Sequence, residues 1–202
     1  MHRYPSRPQP GQVIGLLGGS FDPPHAGHLH ISRWAERALD LSGLWWLVSP
    51  GNPLKADGPA PIAQRLEACR ELTWGSGIHV SDIEVQLGSP FTANTLLYLK
   101  NRYPRVRFVW LMGADNLSGF HHWQRWTWII ETVPMAVLAR PGQQVRAGLS
   151  LAAQRYRHLR LPPTAAGLLG RTVTARWALL PGPMSDQSST AIRQSGGWVK
   201  GG

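Results

Sequence analysis

Short apolar runs recur along the chain, each closed by glycine, proline or a polar turn, and stretches of helical period lie between them. Val13 to Leu17 reads as a first buried strand, and His28 to Leu39 as the helix that follows. A strand at Leu44 to Ser49, a helix around Pro61 to Thr73 and a strand near Ile78 to Ile83 come next. A helix from Ala93 to Arg102 has to stop before Pro104, and "VRFVWLMG", Val106 to Gly113, is another buried strand. "WQRWTWIIE" is expected to be helical, and Pro134 to Ala139 and "TARWALLPG" to be strands. Between Pro141 and Thr172 the period is weakest, with one candidate helix around Leu149 to Tyr156. "SDQSSTAIRQ" then offers hydroxyls to cap a short helix from Ser188. Apolar strands alternating with helices predict an α/β protein with a mostly parallel sheet covered on both faces. Sheets of that kind bind ligands beyond the carboxyl ends of their strands.

The 202 residues suffice for one well-buried core, read as a single domain over residues 12–195 with tails at 1–11 and 196–202. No apolar run approaches the roughly 20 residues that cross a bilayer. The opening "MHRYPSRPQPG" leads into no secretory apolar region, so a cytoplasmic protein without a membrane partner is expected. Cys69 is the only cysteine, which excludes an internal disulfide and a thiolate zinc cluster. It shares a helical face with Ile62 and Leu66 and reads as a buried thiol. Trp45, Trp46 and Trp110 lie in apolar runs and belong to the expected core.

Charge is unevenly placed. The net +10 comes from the second half: residues 1–99 carry seven basic and eight acidic side chains, residues 100–202 fourteen and three. Arg146, Arg155, Arg157, Arg160, Arg171 and Arg176 fall in a stretch with no acidic residue. Such a stretch is either a solvated face or one that attracts polyanions. A basic nucleic-acid-binding protein is therefore a rival reading. No nucleic-acid module accompanies the charge, and no specific nucleic-acid partner is expected.

The stretch with the most chemistry is "LLGGSFDPPHAGHLHIS", Leu16 to Ser32. His25 and His28 could be metal ligands, anion donors or members of an ordinary connection. A zinc site needs three or four ligands, and no cysteine or carboxylate pair nearby supplies the rest. The anion reading uses more of the stretch. Gly18 and Gly19 remove side chains where the strand ends, Pro23 and Pro24 stiffen the turn, and the turn leads into a helix N-terminus, whose free N–H groups favour phosphate.

"GGSFDPPHAGH" resembles the H-x-G-H signature of the nucleotidylyltransferase superfamily, and "SSTAIR", Ser188 to Arg193, resembles its second signature. Intermediate segments are similar to bacterial nicotinate mononucleotide adenylyltransferases: "SPFTANTL", "MGADNLSGFHHW" and "ARPG". The resemblance covers residues 13–142 and 178–194. It implies the Rossmann-like, doubly wound nucleotidylyltransferase fold and transfer of AMP from ATP to nicotinate mononucleotide. The products are deamido-NAD and pyrophosphate, without a covalent enzyme intermediate. A same-fold enzyme preferring nicotinamide mononucleotide is the nearest alternative.

By the same resemblance, His25 and His28 contact the ATP phosphates. Ser189, Thr190 and Arg193 hold the β and γ phosphates, and the backbone of Gly18, Gly19, Ser20 and Phe21 lines the ATP site. Gly113 and Asp115 lie on the nucleotide side, where Asp115 is otherwise a helix cap, and Asp22 fixes the turn. Mg2+ bridges phosphate oxygens and waters rather than a protein cage. For the mononucleotide, Trp123 stacks on the pyridine ring, with Trp126 and Trp128 as competitors. Thr92 and the backbone at Phe91 meet the carboxylate, and Lys55 and Arg140 complete the set. The family pattern has a histidine before that lysine; Leu54 stands there in this chain.

Overall fold

The computed structural model describes residues 7–51, 58–139, 144–172, 174–182 and 189–199. Its strands are β1 (Val13–Gly19), β2 (Gly43–Val48), β3 (His79–Ser81), β4 (Arg107–Gly113), β5 (Met135–Ala139), β6 (Arg160–Leu161) and β7 (Trp177–Pro181). They form one seven-stranded sheet in the order β3-β2-β1-β4-β5-β7-β6, and every pairing is parallel. The helices are α1 (Ala26–Ala38), α2 (Ile62–Leu72), α3 (Ile83–Gln86), α4 (Thr92–Arg102), α5 (Ala114–Gly119), α6 (Trp126–Thr132), α7 (Gln144–Gly148), α8 (Leu151–Arg155) and α9 (Ser189–Gln194). No described helix is long and apolar enough to cross a membrane.

The doubly wound α/β expectation is met, and the alternation of side chains across the strands explains why. Ile14 and Leu16 of β1 pack with Trp110, Met112 and Val137 on one face. Val13 and Leu17 pack with Val109, Leu111 and Leu138 on the other. Both faces are dry, so the strands read as unbroken apolar runs. Strand order runs outward in both directions from β1 and β4. Their carboxyl ends, Gly19 and Gly113, therefore border the switch point where parallel sheets of this kind open a crevice.

Several boundaries differ from expectation for local reasons. The strand expected to reach Ile83 stops at Ser81, whose hydroxyl accepts the Ile83 N–H at 3.2 Å as α3 begins. The helix expected through "WQRWTWIIE" starts only at Trp126, because Arg125 is left-handed at φ 55°. The helix expected around Leu149 to Tyr156 is α8, which Ser150 caps by accepting the Ala153 N–H at 3.3 Å, and α7 is a further short helix just before it, where none was expected. Cys69 is fully buried, and burial pushes its thiol pKa up to about 12. Part of the arginine-rich segment is spent on packing: Arg155 lies 5.5 Å over Trp126 and Arg160 5.3 Å over Trp177.

Candidate active site

β1 ends at Gly19, and the chain turns through Ser20 to Pro24 before α1 starts. Phe21 is left-handed at φ 47° and buried, its ring stacked on Trp46 at 4.7 Å. The two glycines before it make room for the protein's own rings. A Cβ at Gly18 would lie 2.3 Å from the Trp110 indole, and one at Gly19 would lie 3.3 Å from Phe21. Their side-chain space is thus filled from within, and the backbone is what remains for a ligand.

His25 is the N-cap of α1, and His28 sits one turn in. The rings lie 3.9 Å apart, and the His25 N–H donates to His28 Nδ1 at 3.2 Å. With Nδ1 accepting, the neutral His28 ring carries its proton on Nε2 and is a donor there. Phe21 lies 5.0 Å from the His28 ring and Trp46 5.9 Å, so packing holds the imidazole in place.

The second signature docks on this loop. Ser189 Oγ donates to the Pro23 carbonyl at 2.9 Å. Arg193 hydrogen-bonds the Asp22 carbonyl, lies 3.7 Å from the Asp22 carboxylate and donates to Thr190 Oγ1 at 3.2 Å. Asp22 is more than a turn-former. Buried, it also accepts the Ala60 N–H at 3.2 Å and the Trp198 indole N–H at 2.7 Å. The expected C-terminal tail thus touches the loop through Trp198, and Val199 accepts from Gln64 at 2.8 Å.

Across the switch point, Gly113 caps α5 and Asp115 is exposed in its first turn. A Cβ at Gly113 would lie 2.4 Å from Asp115 Oδ1, so the glycine lets the carboxylate fold back over the helix end. Trp123 is half-buried, edge-on to Phe120 at 5.4 Å and to Trp110 at 6.3 Å. Of its competitors, Trp126 packs against Phe120, Tyr156 and Arg155, and Trp128 lies under Arg125. Phe91 is the exposed N-cap of α4 and Thr92 its first residue. That helix start has no side-chain cap and no acidic residue in its first turn, leaving its positive end suited to a carboxylate. Lys55 and Arg140 lie outside the described residues.

Two buried charged residues escaped the sequence reading. Arg65 sits on the same helical stripe as Ile62, Leu66 and Cys69, and a charge on an apolar stripe was the available signal. Glu84 lies in α3, behind α4; Thr95 Oγ1 donates to its Oε1 at 3.5 Å, and burial pushes its pKa up to about 7.

The cytidylyltransferase-like family model matches residues 16–195. A Ruegeria pomeroyi protein named "probable nicotinate-nucleotide adenylyltransferase" is 55% identical over 190 residues, covering 94% of this chain and 89% of that protein. A Cereibacter sphaeroides protein of the same name is 54% identical over 186 residues, covering 92% and 98%. Among solved structures, Plasmodium falciparum nicotinic acid mononucleotide adenylyltransferase complexed with NaAD superposes with a TM-score of 0.67. That match has 15% identity and covers 91% of this chain and 83% of the other. At that identity it speaks for the fold.

Proposed function

The chain belongs to the cytidylyltransferase-like family and, within it, to the nicotinate-nucleotide adenylyltransferases, and from that premise we propose how its residues carry the reaction. The enzyme transfers AMP from ATP to nicotinate mononucleotide, forming deamido-NAD and pyrophosphate on the route to NAD. A phosphate oxygen of the mononucleotide attacks the α-phosphorus of ATP, the bond to the bridging oxygen breaks, and pyrophosphate leaves. No side chain forms a covalent bond, so the protein's task is alignment and stabilisation of charge.

The observation that carries this reading is the junction of Ser189 and Arg193 with Pro23 and Asp22. It brings imidazole, hydroxyl, guanidinium and backbone donors to one loop at the head of α1. In our assignment His28 Nε2 and His25 donate to the α-phosphate, and the N–H groups of Gly19, Ser20 and Phe21 line the ATP path. Ser189, Thr190 and Arg193 hold the β and γ phosphates. The exposed Asp115 accepts from ATP hydroxyls, with Gly113 leaving it room. Trp123 stacks on the pyridine ring, and the Thr92 hydroxyl with the start of α4 beside Phe91 takes the carboxylate. Lys55 and Arg140 are assigned to the mononucleotide on sequence alone.

This donor set suits phosphate oxygens, and the carboxylate at the loop, Asp22, is engaged by protein donors. We therefore assign Mg2+, when bound, to the ATP phosphates and water rather than to a protein cage, where it would supply charge neutralisation for the leaving pyrophosphate. The cytoplasm is the proposed compartment.

The test is dinucleotide and pyrophosphate formation from magnesium ATP with nicotinate or nicotinamide mononucleotide in parallel. Preference for the acid is expected. Equal or better use of the amide would overturn the substrate assignment.

A further inference from the structure

Arg65 is 1% exposed, in a place where an uncompensated charge would be costly. Among the described residues, its hydrogen bonds all go to backbone carbonyls. Nε donates to the Ala60 carbonyl at 2.7 Å, Nη1 to those of Ser20 and Ser49 at 2.7 Å each, and Nη2 to Pro50 at 3.2 Å. These four carbonyls have one thing in common, which is their place in the fold. Ser20 is the exit of β1; Ser49 and Pro50 are the exit of β2; Ala60 lies just before α2. All stand at the carboxyl edge of the sheet, on the side of His25 and His28. The Ala60 N–H donates to Asp22, so the peptides flanking Ala60 are gripped by Arg65 on one side and Asp22 on the other.

We propose that Arg65 is a positioning residue for adenylyl transfer. From one buried guanidinium it fixes the β1 exit, which leads into the phosphate loop, against both described ends of the β2–α2 connection. Residues that meet the two substrates on neighbouring loops are thereby held at one separation. In-line attack needs that separation: a misplacement of about 1 Å costs roughly a hundredfold in rate. A planar fork of five donors reaches carbonyls on three segments at once. An ammonium in its place keeps the charge but offers one nitrogen on a flexible stem. This inference rests on the adenylyltransferase reading, because alignment matters only where two substrates must meet.

The experiment compares wild type, Arg65→Lys and Arg65→Met by kcat, by KM for each substrate and by thermal midpoint. Arg65→Lys should fold and lose about tenfold or more in kcat, with each KM moving by less than about threefold, since alignment rather than contact is lost. Arg65→Met should lose more; if it fails to fold, the lysine variant decides. A kcat for folded Arg65→Lys within about twofold of wild type would overturn the proposal. So would a loss that disappears on cooling to where the variant is as fully folded as wild type, which marks a purely structural role. A wild type that makes no dinucleotide would instead overturn the adenylyltransferase reading, and this inference with it.

Discussion

Ser189 donates its hydroxyl to the Pro23 carbonyl at 2.9 Å across 166 residues of sequence. Arg193, one turn further along α9, reaches the residue beside it, Asp22. The two signature segments are therefore two halves of one loop support, and neither is complete alone. The C-terminal helix is docked on the first loop through these two side chains.

His28 is expected to matter most to rate. Its Nδ1 is taken by the His25 N–H, which leaves Nε2 as the donor, and the ring is wedged against Phe21 and Trp46. His28→Ala should lower kcat by about a hundredfold or more, the usual cost of losing an oriented donor to a transition-state oxygen. Pyrophosphate release by folded protein measures it, and near-wild-type turnover would remove His28 from the chemistry.

Trp123→Ala should act on the mononucleotide. The side chain is only half-buried and meets Phe120 and Trp110 edge-on, so its truncation leaves most of the core untouched. The KM for nicotinate mononucleotide should rise about tenfold, as expected for loss of one aromatic stacking partner, with the KM for ATP little changed. A large fall in thermal midpoint with both KM values unchanged would make Trp123 a packing residue.

The strands and most helices were legible because burial on both faces leaves long apolar runs that only glycine, proline and polar turns interrupt. What escaped was decided by single backbone or side-chain events. Arg125 in a left-handed conformation delays α6, and Ser81, whose hydroxyl accepts the Ile83 N–H, ends β3 before Ile83. At the site, the residues of both signatures stood out in the sequence, but their supports did not. Arg65 shows in the sequence only as a charge on an apolar helical stripe, and its role emerges once its four carbonyl partners, drawn from the β1–α1 and β2–α2 connections, are in place. Asp22 looks like a turn residue until Ala60, Arg193 and Trp198 converge on it. Long-range partners of this kind leave no local period.

Gly18 illustrates a residue whose reason changed between sequence and structure. Expected as room for a ligand, its vacant Cβ position is filled by Trp110. Gly18→Ala should destabilise the protein by about 1–3 kcal/mol through overpacking. Adding Trp110→Phe, which withdraws the clashing end of the indole, should recover part of the loss. A denaturant-based double-mutant cycle reads this as a favourable coupling. Additive effects would mean the two positions do not compete for the same space.

Glu84 gives stability a pH dependence whose direction follows from its burial. Its pKa is pushed up to about 7 in the folded protein from an ordinary value of 4.5, mainly by desolvation, with the Thr95 hydrogen bond opposing. Between those two values the folded state binds more protons at this site than the unfolded one, so its contribution to stability falls as pH rises through that window. Above pH 7 the folded chain carries a buried carboxylate, and the cost is complete. Glu84→Gln keeps the shape of the protonated acid and removes the titration. The variant should match wild type near pH 5 and exceed it by about 1–3 kcal/mol at pH 8, given that one pKa unit corresponds to about 1.4 kcal/mol. Thermal midpoints of both proteins at pH 5, 6, 7 and 8 measure the widening gap. A constant difference across that range would mean that the folded and unfolded chains bind the same number of protons at Glu84, so that burial does not raise its pKa.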